Sequence, residues 1–197
     1  FFGMIYGSIM VIGLYNFLLF LSTRDFNYFY YVIYATSMGF VQAGLNGLSF
    51  QYLLPDSPSW ANASLVGFLG ALLFSVSTFC RQFLMLKTVS PFLDRTMLAM
   101  SLFGIIVLVV GPIAPYSISI RIVAALGIPT FVVPIIASLV ALHRGFRPAR
   151  FFLIAFGPLL FLGIAYVLAR WQLVPTNFLT SNGFQIGAAL EVVLLSL

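Results

Sequence analysis

The sequence predicts an all-α membrane protein: a bundle of seven transmembrane helices, its N-terminus extracytoplasmic and its C-terminus cytoplasmic. Three observations carry this. Hydrophobic residues make up 62% of the 197 residues and charged residues only 7%, against roughly 25% charged in soluble domains, and mean hydropathy is +1.12. Apolar runs close to the ~20 residues that cross a hydrocarbon core recur seven times. The few cations gather in alternate connections. A transmembrane β-barrel is excluded, because the runs lack period-two alternation and are about twice the length of a barrel strand.

The first span is FFGMIYGSIMVIGLYNFLLFL, 1–21, closed by STRD. The second, 27–50, is followed by the turn-rich QYLLPDSPSWANAS. The third runs from about Leu65 to Leu86, with KTVSPFLDR after it. The fourth covers Thr96 to about Ile113 and ends at GPIAP; the fifth is roughly Ile120 to Leu142. The sixth is about Phe151 to Ala169, and the seventh begins near Phe178. The chain starts at Phe1 and stops at Leu197 inside an apolar run, so 1–197 reads as one domain cut from a longer protein. A secretory leader is not expected at its start, because the first 21 residues carry no charge.

Seven spans divide the connections between two sides. One holds Arg24, Lys87, Arg95, Arg144, Arg147 and Arg150; the other holds Arg121 and Arg170. Lys and Arg favour the cytoplasmic side, which orients the bundle and makes Arg144, Arg147 and Arg150 its main topology anchor. Gly145 and Pro148 suit a tight turn in that loop. Contact of these arginines with anionic lipid or a downstream domain is the lesser reading. The net charge of +5 therefore reflects topology, and no nucleic-acid partner is expected. Cys80 is alone, so there is no disulfide framework.

The basic loop read into the next helix, RGFRPARFFLIAF, is similar to a motif of the bacterial seven-transmembrane receptors with diverse intracellular signalling modules. LYNFLLFLSTRDFNYFYYVIY, FCRQFLMLKTVSP and QIGAALEVVLLSL agree in order and spacing, so the resemblance covers essentially the whole chain. It implies a multi-pass receptor module in the bacterial cytoplasmic (inner) membrane. A fused extracytoplasmic sensor domain would precede it, and a cytoplasmic output domain of histidine kinase or cyclic-di-GMP enzyme type would follow. A homodimer is the expected assembly.

Polar groups at depth are the candidate functional residues. Glu191 lies about 16 Å below an outer boundary near Thr180, at 1.5 Å per residue. A charged carboxylate there costs roughly 3 kcal/mol or more unless paired or neutral. Gly183, Gly187 and Glu191 recur every four residues on one helical face, so Glu191 is expected to point into the bundle. Arg81 in FCRQFL is the candidate partner by depth; in the alternative, Arg81 snorkels to the headgroups. Gln42, Asn46 and Gln185 fall in outer halves and form a candidate outward-facing pocket, with interhelical packing as the competing role.

Small residues at Ala35, Gly39, Ala43 and Gly47, and at Gly3 and Gly7, predict close helix contacts. The cluster Tyr28, Phe29, Tyr30, Tyr31 and Tyr34 reads as an interfacial aromatic belt. Pro129, Pro134 and Pro158 fall inside spans and can kink them.

No catalytic group, metal or cofactor is expected in this segment: the single His143 is in a loop, and no nucleophile–base pair or metal motif occurs. A retinal protein would need a lysine in the seventh span, and the lone Lys87 is in a loop. The reading is thus a signal-transducing receptor module that relays an extracytoplasmic stimulus. The alternative is a membrane transporter or channel domain, although no internal repeat supports it.

Overall fold

Seven long apolar segments become seven long helices, with two single-turn helices between them, among the residues that the computed structural model describes: 2–48, 51, 58–170 and 172–195. The predicted outer end of the second span (49–50) and most of the first outer connection (52–57) lie outside these residues. So do Phe1, Trp171, Ser196 and Leu197.

α1 spans Phe2–Thr23. α2 (Phe26–Leu45) starts where the Asp25 carboxylate accepts the Asn27 N–H at 2.9 Å, satisfying one of the orphan donors of the first turn. It ends five residues before the predicted limit: Asn46 is the C-cap and Gly47 follows at φ +74°, a left-handed step that suits glycine. α3 (Pro58–Phe83) begins earlier than expected, within the turn-rich stretch. The single turn α4 (Leu86–Val89) leads through Ser90 to α5 (Pro91–Val110), where Pro91 needs no intrahelical donor. α6 (Tyr116–His143) contains Pro129 and Pro134, and α7 (Ala149–Arg170) contains Pro158. Gly145 at φ +86° makes the turn between them. The seventh span is broken in two. A capping box of Asn177 and Thr180 starts α8 (Phe178–Ser181), and α9 runs Gly183–Leu195.

α1, α3 and α5 each offer a stretch of 20 residues or more that is long and apolar enough to cross a membrane. α2 is more polar because of where it sits. Its Tyr31, Tyr34, Ser37 and Gln42 are buried against protein, not lipid. The outward faces are apolar instead: Met4 and Met10 on α1 and Phe92 on α5 are each about three-quarters exposed. Such surfaces suit a lipid solvent.

Contacts run opposite ways along successive helices. Phe40 stacks on Phe68 and Tyr34 on Phe79, so α2 and α3 are antiparallel. Gly70 meets Leu108 while Gly104 meets Phe74, so α3 and α5 are too. Alternation of this kind carries Arg24, Lys87, Arg95, Arg144, Arg147 and Arg150 to one end of the bundle. Around the bundle, α1, α2, α3, α5, α6, α7 and α9 pack in order, and α9 closes the ring on α1 and α2.

One tight crossing, between α3 and α5, was not among the small-residue patterns read from the sequence. A Cβ on Gly70 would lie 2.5 Å from the Leu108 nitrogen, and one on Gly104 would lie 2.5 Å from the Phe74 nitrogen. Only glycine lets these two backbones touch. Gly3 and Gly7, by contrast, have nothing within 4 Å, so no close contact forms there among the described residues. Gly39 reaches Ile9 of α1 at an ordinary 3.5 Å. On α2 it is Gly44 that takes the tight contact, 2.9 Å to Leu65.

Candidate functional site: the seam between the second and last helices

The centre of the bundle is aromatic. Phe152 and Phe156 of α7 stack with ring centroids 4.1 Å apart. Tyr34 stacks on Phe79 at 5.8 Å and on Phe156 at 6.3 Å, and Phe83 packs on Phe152 at 5.9 Å. Tyr34, Phe152 and Phe156 are fully buried. The belt reading therefore fails for Tyr31 and Tyr34. Tyr34 stands eight residues into α2, about 12 Å along the axis, which is too deep for a headgroup position. Tyr28, Phe29 and Tyr30 are half-buried nearer the end.

Glu191 projects into this core and is fully buried, as its face with Gly183 and Gly187 predicts. Those two glycines let α9 lie directly on α7. A Cβ at Gly183 would meet the Leu162 carbonyl oxygen at 2.5 Å, and one at Gly187 would meet the Leu159 Cα at 2.8 Å. The contact falls beside Pro158, where α7 lacks a backbone donor. The Tyr34 hydroxyl donates to Glu191 Oε2, and the Tyr31 hydroxyl donates to the Val192 carbonyl oxygen. Glu191 Oε1 has no hydrogen-bond partner.

The expected pairing of Glu191 with Arg81 is not formed. Arg81 instead makes a two-pronged bond to Asp94, Nε to Oδ1 at 2.9 Å and Nη2 to Oδ2 at 3.0 Å. Asp94 sits in the first turn of α5, directly across the α3–α5 contact and near the end of the bundle. A planar guanidinium matches two carboxylate oxygens there without carrying its charge to mid-membrane. The pair is largely buried, with side chains 19% and 14% exposed.

The candidate outer group is partly assembled. Gln185 Nε2 donates to Asn46 Oδ1 at 2.9 Å, and Asn46 Nδ2 donates to the Tyr6 hydroxyl at 2.8 Å. One chain of bonds thus joins α1, the C-cap of α2 and α9. Gln42 lies one turn deeper on α2, is 1% exposed, and has neither amide atom hydrogen-bonded. It does not join the other two, because Asn46 takes Gln185. Nor do the three line an apolar cleft found elsewhere in the bundle. That cleft, of about 120 Å³, lies between α5 and α6 against Phe103, Ile106, Val110 and Ile118.

Arg144, Arg147 and Arg150 are exposed at the basic end. The Arg150 guanidinium lies 4.8 Å from the Phe151 ring centroid, a cation–π contact at the foot of α7. The resemblance motif thus splits by role. Its arginines stay outside, and its Phe152 and Phe156 build the core beneath Glu191.

Tyr6, Asp94 and the Gly70–Gly104 pair were not singled out from the sequence, and Tyr34 was read only as part of the aromatic belt. Depth counting would have moved Tyr34 inward. Nothing in the sequence alone ranks Asp94 above Glu191 as a partner for Arg81.

No curated protein and no solved structure matches the chain. The family model for 7TM diverse intracellular signalling matches residues 1–197, the full length given. An all-helical bundle with lipid-facing apolar surfaces, a basic end and a buried polar seam, matched from end to end by that model, makes this chain a member of the 7TM diverse intracellular signalling family, a multi-pass membrane module for signalling.

Proposed function

We propose that the module relays an extracytoplasmic stimulus through α9 to a fused cytoplasmic output domain, of histidine kinase or cyclic-di-GMP enzyme type, in a bacterial inner membrane. The observation that carries this is the setting of α9. Its Gly183 and Gly187 lie on the α7 backbone, Gln185 is tied to the outer end of α2, and Glu191 is tied to Tyr34 in the core. An outer event that disturbs the Tyr6–Asn46–Gln185 chain acts on the same helix that continues toward the cytoplasmic end. A stimulus shifts such an equilibrium only by binding the two arrangements with different affinity. A homodimer, and a sensor domain on the extracytoplasmic side, belong to this reading.

The test is output activity of the intact parent protein in native membranes, compared for wild type, Tyr34→Phe and Glu191→Gln. Tyr34→Phe removes the α2–α9 hydrogen bond and Glu191→Gln exchanges its carboxyl acceptor for an amide, and both are expected to shift basal output at least threefold in the same direction. Unchanged output from two correctly inserted variants would overturn the α9 relay.

A further inference from the structure

We propose that the α2–α9 seam is an internal water site, held by Gln42, Gln185 and Glu191. α2 and α9 are bonded at two levels. Tyr34 reaches Glu191 in the core, and Asn46 accepts from Gln185 near the outer end. Between these levels α2 advances twelve residues, about 18 Å, while α9 advances six, about 9 Å. The helices therefore do not run in close register. α9 sets its backbone on α7 and α1, and meets α2 mainly through long polar side chains.

Gln42 stands between the two levels, on the same face of α2 as Asn46. Its Nε2 and Oε1 are both buried and unpartnered, as are Gln185 Oε1 and Glu191 Oε1. One donor and three acceptors on the two helices are thus buried without a bonding group among the described residues. A buried polar atom left this way is strongly disfavoured. A ligand that satisfies both kinds of group must donate and accept, and must be small enough for a packed core. Water meets both conditions, and buried water characteristically bridges two to four such atoms.

Around Tyr34 the described neighbours offer no free hydrogen-bonding group. Tyr31 is bonded to Val192, and the α3 and α7 surfaces around Tyr34 are the rings of Phe79 and Phe156. Wet contacts also bear on the relay proposed above, on which this consequence rests. A water bridge re-forms in a shifted register, whereas a direct side-chain pair must first break.

The experiment is water-edited solid-state NMR of the chain in lipid bilayers, with 15N-glutamine. Val41–Gln42 is the one Val–Gln pair in the sequence, so 13C-valine labelling assigns the Gln42 backbone amide without any mutation, and 13C labelling of the glutamine carries the assignment to its side chain. Exposed Gln82 and Gln172 are the hydrated references. The Gln42 side-chain amide is expected to receive magnetisation from water within about threefold of the time they need, and to exchange in D2O. A Gln42 amide that stays dark to water and protected in D2O, while both references respond, would show a dry seam and overturn the proposal. The relay would survive that result, since its own test reads output activity.

Discussion

Tyr34 and Glu191, 157 positions apart, meet at the centre of the bundle, where the phenol donates to a carboxyl oxygen that no cation among the described residues accompanies. Tyr34 is itself clamped between Phe79 and Phe156. The last helix is thus referred to three others through one side-chain pair.

Tyr34→Phe removes the one hydrogen bond that the described residues make to the Glu191 carboxyl, while Glu191→Gln keeps an acceptor for the phenol. The expected loss for Tyr34→Phe is about 1–3 kcal/mol, with a smaller loss for Glu191→Gln. In a double-mutant cycle the phenylalanine substitution should cost less on the glutamine background. Reversible unfolding in mixed micelles measures all four species.

Gly104→Ala should destabilise by about 1–3 kcal/mol, because the added methyl has only the Phe74 backbone to occupy. Gly7→Ala, with open space around it, should be neutral or slightly stabilising by up to about 1 kcal/mol. Thermal midpoints of the two variants in one detergent would separate a backbone crossing from a lipid-facing glycine. Equal effects would contradict the α3–α5 geometry.

Arg81→Ala leaves Asp94 without its two charge-assisted bonds, and is expected to cost about 1.5–3 kcal/mol. Lysine at position 81 should rescue only part of this, since it lacks the planar fork. Exchanging the pair, Arg81→Asp with Asp94→Arg, should recover stability relative to either single reversal. A cycle showing no coupling would mean that the ion pair does not form in the membrane.

Asn46→Ala breaks bonds to both Tyr6 and Gln185. Interhelical hydrogen bonds in membrane proteins average about 0.6 kcal/mol each, so a loss of about 1 kcal/mol is expected. Tyr6→Phe should give roughly half of it. Unfolding measured for the two variants checks the ratio.

A dual topology reporter placed at Gly145 should report the cytoplasm, and one placed at Ala114 the opposite side. Replacing Arg144, Arg147 and Arg150 together by glutamine should weaken this orientation by removing half of the cations at that end. A mixed signal from the triple variant is the expected outcome. A reporter at Gly145 that is active outside would invert the bundle.

Span number and charge bias are legible residue by residue, because each helix satisfies its own backbone and meets the same solvent whatever its neighbours are. The apolar runs, Glu191 pointing inward with Gly183 and Gly187, and Asn46 joined to Gln185 were all within reach of such reading. The limits of α2 and the break at Asn182 were not. Both depend on local caps that apolar composition hides, Gly47 at positive φ and the Asn177–Thr180 box.

By itself, then, the sequence determined that this chain folds as seven lipid-facing helices with one basic end, since hydropathy and charge act on each helix separately. Only the tertiary structure decided which faces meet. It sent Arg81 to Asp94, Tyr34 to Glu191 and Gly70 to the Leu108 backbone, and it left Gln42 alone in the seam. Those outcomes depend on how each helix is rotated and tilted against its neighbours. Inside a membrane that rotation follows from packing and from a few hydrogen bonds between helices, which no single segment of sequence contains.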